Sequence, residues 1–290
     1  MTRIYKVDPK NPNEKILREV AEMIKEGKLV AYPTETVYGL GTNALDERAV
    51  ERLFKIKGRQ RKPISVVIPS IEKAEEIGEI NDVALSLIEK FFPGPLTIIV
   101  KKKDVVPSIV TAGSEKIGLR MPDHSIPIKL AEFSGVPITS PSANISGKPS
   151  PTKPEHVIED FMGKIDAIID AGETLLKIES TVIDTTTKPP KILRIGALPL
   201  EEIKKVIGEF KVLDYRAYKP KAKVIAVFTC DVKDVAKKFK GSVCIFKSEE
   251  ISDLMEILRS CKECDVIIFE CKGLSEALRS RIKSIADEIY

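Results

Sequence analysis

Apolar residues recur along this chain in two alternating rhythms. In NEKILREVAEMIKE (13–26), Ile16, Leu17, Val20, Ala21 and Ile24 fall three and four residues apart, which predicts an amphipathic helix. Gly27 stops it, and the apolar run 29–32 then reads as a buried strand. A second helix is predicted over 46–57 through Val50, Leu53 and Phe54. Short β-rich apolar runs follow at 64–68, 96–100, 117–121, 136–139, 167–169, 181–183 and 192–194, with helical spacing between several of them. Some of the connections are too short for a helical crossover, so the expected fold is α/β with a twisted mixed sheet.

The texture changes near residue 200. PLEEIKKVIGEF closes one unit, and LDYRAYKPKAK (213–223) reads as a linker. After it, KVIAVFT, SVCIF and DVIIFE alternate with DVKDVAKKF, SDLMEILRSC and LSEALRSRIKSIADEI as three β–α units. The pattern predicts a large N-terminal domain over 1–207, a linker over 208–222 and a small doubly wound, Rossmann-like α/β domain over 223–290.

Composition narrows the function more by exclusion than by signal. The chain is 43% hydrophobic and 31% charged with a net charge of +4, which describes a globular protein that is not a bulk nucleic-acid binder. No apolar run approaches the roughly 18 residues that a membrane helix needs. The start, MTRIYKVDPKNPNEK, has no hydrophobic signal region, so a cytosolic protein without membrane contact is expected. The two histidines, His124 and His156, stand in no metal spacing, and all five cysteines lie after residue 229. Cys261 and Cys264 form a lone CxxC, too few ligands for zinc; a redox pair and chance spacing on a helix are the remaining readings. YGLGTNA (38–44) loosely fits a dinucleotide fingerprint, but no acidic residue follows at the ribose position, and a plain turn accounts for Gly39 and Gly41.

Two stretches remain that chemistry could use. KIKGRQRK (55–62) places Lys55, Lys57, Arg59, Arg61 and Lys62 around Gly58, which suits a polyphosphate, a solvated basic turn or a weak RNA contact. TSPSANISGKPSPT (139–152) is dense in hydroxyls on a proline-stiffened loop, with no base, nucleophile or metal ligand. It fits an anion cradle, and also a capped helix start. An enzyme built from such parts works by holding reactive substrates together and neutralising phosphate charge.

Taken in order, AYPTETVYGLG (31–41), KGR (57–59), FPGPLT (92–97), GLRMPDH (118–124), SPSANISGKPSPT (140–152) and ESTVID (179–184) resemble the successive motifs of the YrdC-like threonylcarbamoyl-AMP synthases. YRAYKPKA (215–222) is similar to the linker of their longer, two-domain members. The loop after Arg59 is one residue shorter than usual, and the C-terminal domain is also shorter. The resemblance implies condensation of L-threonine, bicarbonate and ATP to threonylcarbamoyl-AMP and pyrophosphate. Mg²⁺ would ride on the phosphates, with no protein-held metal, and a downstream complex would pass the group to tRNA. It also implies roles by position. Lys57 and Arg59 face the triphosphate as the catalytic cations, with Lys62 close by. Ser142, Asn144, Ser150 and Arg194 contact the nucleotide. Thr34, Thr36, Arg120, Ser140 and Ser180 line the threonine pocket, although either threonine could be an ordinary strand residue. Tyr215, Arg216 and Tyr218 form a lid on ATP, against the simpler reading of a packed linker. The alternatives from other classes are an RNA-binding module with an adenylate pocket and a carbamoyltransferase on the same fold.

Overall fold

A computed structural model describes residues 1–58, 62–213, 220–261 and 263–290. Its first elements are β1 (Arg3–Lys6), α1 (Glu14–Lys25), β2 (Val30–Tyr32), β3 (Gly39–Gly41), α2 (Glu47–Lys57) and β4 (Ser65–Val67). Then come α3 (Ile71–Ile77), β5 (Gly78–Glu79), α4 (Asp82–Phe91), β6 (Leu96–Lys102), β7 (Lys116–Arg120), α5 (Ser125–Ser134) and β8 (Ile138–Thr139). The middle of the chain continues with α6 (Pro154–Phe161), β9 (Ala167–Asp170), β10 (Thr181–Asp184), β11 (Lys191–Arg194), α7 (Leu200–Ile207) and β12 (Lys211–Val212). The last part holds β13 (Lys223–Val227), α8 (Val232–Ala236), β14 (Val243–Phe246), α9 (Leu254–Ser260), β15 (Val266–Glu270), α10 (Glu276–Ile285) and β16 (Glu288–Ile289).

The predicted helix over 13–26 forms as α1, capped by Asn13, whose side chain accepts from the N–H groups of Lys15 and Ile16. Its stripe of Leu17, Val20, Ala21 and Ile24 is sealed into a core shared with Ile126 and Leu130 of α5. In α2, Asp46 caps the start and Gly58, in the left-handed region, ends it.

Where one mixed sheet was expected before the linker, there are two. The smaller runs β1-β9-β2-β3, and the larger runs β12-β11-β10-β6-β7-β4-β8 with β5 paired to β6. Both mix parallel and antiparallel pairs: β6 is parallel to β10 but antiparallel to β7. The glycines of YGLG explain the extra strand. They are a strand, β3, antiparallel to β2, and not the plain turn expected. The fully buried ring of Tyr32 lies across them: a Cβ on Gly39 or Gly41 would stand 2.9 or 2.6 Å from its atoms. The Tyr32 hydroxyl then donates to the carbonyl of Thr139, tying β2 to the start of the hydroxyl-rich loop (3.0 Å).

The third sheet, β14-β15-β13-β16, is parallel throughout. Helices α9 and α10 cover one face and α8 the other, which is the double winding that the alternation predicted. The last predicted helix stops at Ile285, and Glu288–Ile289 instead extends the sheet beside β13. Cys264 lies beyond the end of α9 and forms a disulfide with Cys244 of β14. The CxxC is therefore neither an internal redox pair nor a spacing on one helix, although Cys261 shares the same cluster of sulfurs. No helix among the described residues is long and apolar enough to cross a membrane.

Candidate functional site

A cleft of about 670 Å³ opens on the larger sheet. Its floor comes from Ser65 of β4, Thr97 of β6, Lys116 and Arg120 of β7, Ser180 and Asp184 of β10, and Arg194 of β11. The loop 140–150 makes one wall. Met255 and Leu258 of α9 and Arg281 and Ile285 of α10 border it from the third sheet. Of the residues expected at the site, Lys57, Lys62, Arg120, Ser140, Ser142, Asn144, Ser150, Ser180 and Arg194 all border this one cleft. Arg59, Tyr215, Arg216 and Tyr218 lie outside the described residues.

At one end Arg120 is 5% exposed. Its Nη2 donates to Thr36 Oγ1 (3.1 Å) and its Nη1 reaches Ser140 Oγ (3.5 Å). Thr36 Oγ1 lies 2.9 Å from Thr34 Oγ1, which donates to the Val37 carbonyl at 2.7 Å. A hydroxyl has one proton, so the chain of donation runs from Arg120 to Thr36 to Thr34 to Val37. Thr34 and Thr36 are thus neither cleft-wall residues nor ordinary strand threonines: they lie in the bend between β2 and β3, behind the arginine they orient.

Beside them is Glu35, a residue the sequence reading passed over. Its carboxylate is buried, with Oε1 3.7 Å from Arg120 Nη2 and no hydrogen bond to either oxygen. Burial pushes its pKa up against the pull of Arg120. Arg120 Nε also lacks a hydrogen-bond partner, so the guanidinium keeps unused donor capacity beside the cleft.

On the floor, Ser180 and Arg194 are tied to each other. Arg194 Nε donates to the Ser180 carbonyl (2.9 Å) and Nη2 to Ser180 Oγ (3.0 Å), while Thr97 Oγ1 stands 2.8 Å from the same hydroxyl. On the floor, the Asp184 carboxylate is engaged by Lys116 Nζ (2.9 Å) and by the N–H and hydroxyl of Thr186.

The hydroxyl-rich loop is not a helix start. The next helix begins only at Pro154, with no side-chain cap. The loop is shaped from within by Asn144, whose amide donates to the carbonyls of Ile145 (3.1 Å) and Lys148 (2.7 Å) while its oxygen accepts from Ser142 Oγ (2.5 Å). From outside it is held by Lys57. This residue is the last of α2, not a solvated loop cation, and is 2% exposed. Its ammonium donates to the carbonyls of Ser142 (2.5 Å) and Asn144 (2.6 Å). Lys62 stays exposed at the rim. Among the described residues, no cysteine or histidine borders the cleft, so none of its serines has an imidazole there to activate it.

The Sua5/YciO/YrdC family model, described as "Telomere recombination", matches residues 22–196. A threonylcarbamoyl-AMP synthase of Pyrococcus abyssi is 50% identical over 251 residues, covering 80% of this chain and 74% of that protein. A threonylcarbamoyl-AMP synthase of Bacillus subtilis is 43% identical over 208 residues, 71% of this chain and 60% of that one. The crystal structure of P. abyssi Sua5 complexed with L-threonine superposes with a TM-score of 0.92 at 42% identity, over 100% of both chains.

Proposed function

The chain belongs to the Sua5/YciO/YrdC family, and from that premise we propose how its cleft makes threonylcarbamoyl-AMP from L-threonine and ATP. The Arg120 end takes the amino acid, and the loop 140–152 with Arg194 takes the nucleotide. The observation that carries this is Arg120 itself: a buried guanidinium with spare donors, ordered by two threonines and a serine, suits a two-pronged grip on a carboxylate.

Bicarbonate supplies the carbamoyl carbon. The threonine amine attacks it, water leaves, and the resulting carbamate attacks the α-phosphorus of ATP with departure of pyrophosphate. The substrates bring both nucleophiles, so the protein has to align them and neutralise phosphate charge. Mg²⁺ enters as part of the nucleotide. The cleft carboxylates are already engaged, Asp184 by Lys116 and Thr186 and Glu179 by Ser150 and Arg281, so a Mg²⁺ brought by the nucleotide would be held by phosphate oxygens and water.

The roles of Arg59 at the triphosphate and of Tyr215, Arg216 and Tyr218 over the nucleotide rest on the resemblance of their motifs. The product passes to a tRNA-modifying complex. Any RNA contact through 55–62 has to do without Lys57, which is buried. The division into 1–207, 208–222 and 223–290 rests on the change of sequence texture, although Lys211–Val212 within that linker forms β12 and pairs with β11 of the larger sheet.

Incubation with ATP, bicarbonate and each amino acid in turn, read by pyrophosphate release, tests the reading. Release should require threonine and bicarbonate together. RNA binding without turnover, or turnover on carbamoyl phosphate without threonine, would replace it with one of the alternatives.

A further inference from the structure

Two arginines from the third sheet's helices reach into the other half of the molecule, and each ends on a carboxylate that holds the hydroxyl-rich loop. Asp160 of α6 is fully buried. Its Oδ2 accepts from the Ile145 N–H (3.2 Å) and from Arg259 Nη2 (3.1 Å), and its Oδ1 accepts from Lys148 Nζ (2.6 Å) and Arg259 Nη1 (3.4 Å). Arg259 Nη2 also donates to the Pro149 carbonyl at 2.7 Å. At the loop's far end, Glu179 Oε1 accepts from Ser150 Oγ (2.9 Å) and Oε2 from Arg281 Nη2 (2.7 Å). Both arginines are buried, 7% and 5% exposed.

We propose that Arg259 and Arg281 are positioning residues for nucleotide binding, acting through Asp160 and Glu179 on the loop 142–150. A buried carboxylate that loses its arginine must take up a proton or draw in water, and either change loosens whatever it was accepting from. For Asp160 that is the Ile145 N–H and Lys148; for Glu179 it is Ser150. Burial alone would raise both carboxyl pKa values. It is outweighed at Asp160 by Arg259 and Lys148 and at Glu179 by Arg281 and Arg194, so both stay ionised below the usual range. The third sheet thereby has a job in the reaction: it supplies the counter-charges that fix one wall of the cleft. Docking of that sheet does not depend on them alone. Asp253 accepts from Thr152 Oγ1 (2.7 Å), and Glu256 pairs with Lys153 and His156 (both 2.7 Å).

The inference rests on the reading that this loop receives the nucleotide, so its test has two arms. In the full-length wild type, a non-hydrolysable ATP analogue should slow amide hydrogen exchange in 142–150; no such protection would overturn the reading itself. Arg259→Met, Arg281→Met and the double variant are then compared by calorimetry with the same analogue and with L-threonine. In the folded double variant, the analogue's Kd and the KM for ATP should rise roughly tenfold to a hundredfold, as for other misplaced groups. Threonine affinity should stay within about twofold, and ligand-free exchange in 142–150 should quicken. Arg281→Lys should recover part of the loss. Unchanged analogue affinity in a folded double variant, or equal loss of both ligands, would overturn the proposal while leaving the loop assignment standing.

Discussion

Lys57→Met is expected to abolish most synthase activity and to destabilise the fold by about 2–4 kcal/mol, the cost of leaving buried polar groups without their partner. A cation near a phosphate site is usually assumed to be dispensable for folding, and for an exposed lysine the cost would be near zero. Here the ammonium is enclosed and donates to two carbonyls of one loop, Ser142 and Asn144. Methionine fills the space of the aliphatic stem but donates nothing, so both carbonyls lose a charged donor and the loop loses its anchor to α2. Denaturant unfolding beside a pyrophosphate-release assay checks both parts. A variant as stable as the wild type would contradict the buried placement; full activity would remove Lys57 from the site.

Arg120→Lys is expected to raise the threonine requirement by about a hundredfold, roughly 2.7 kcal/mol, with little change for ATP. The lysine keeps the charge but has a single nitrogen where the guanidinium addresses Thr36 and Ser140 at once. It also brings a compact, strongly hydrated ion into a buried position beside Glu35, whose carboxylate has no hydrogen bond of its own. Threonine affinity should fall because the two-pronged grip is lost, while the nucleotide loop, held by Lys57, stays in place. Steady-state KM values for both substrates decide. Equal effects on the two would mean that Arg120 does not belong to the amino-acid end.

The helical stripes and the short apolar strands were legible because their signals are local: Leu17, Val20 and Ile24 are neighbours on one turn after the next. The glycines of β3 were not, since their reason lies in the Tyr32 ring across the strand pair, and glycine spacing alone equally suits a turn. The same holds for Lys57. A run of five cations reads as solvated until the fold brings Ser142 and Asn144, more than eighty residues away, onto one of them. The six motifs point to one cleft because they are the segments that meet there. What they could not reveal is the border supplied by Met255, Leu258, Arg281 and Ile285. On their own helices these look like ordinary amphipathic positions, and Arg281 finds Glu179 only through tertiary contact across 102 residues. Thr34 and Thr36 carry the opposite lesson: expected in the cleft wall, they stand behind it, Thr36 against the arginine and Thr34 against Thr36.

A crystal structure of the protein with L-threonine and a non-hydrolysable ATP analogue tests most directly whether one cleft holds both substrates end to end. The threonine carboxylate is expected on Arg120, the amine directed toward the α-phosphate, and the triphosphate along the loop 142–150 near Arg194. Threonine bound away from Arg120, or the nucleotide bound outside this cleft, would contradict it.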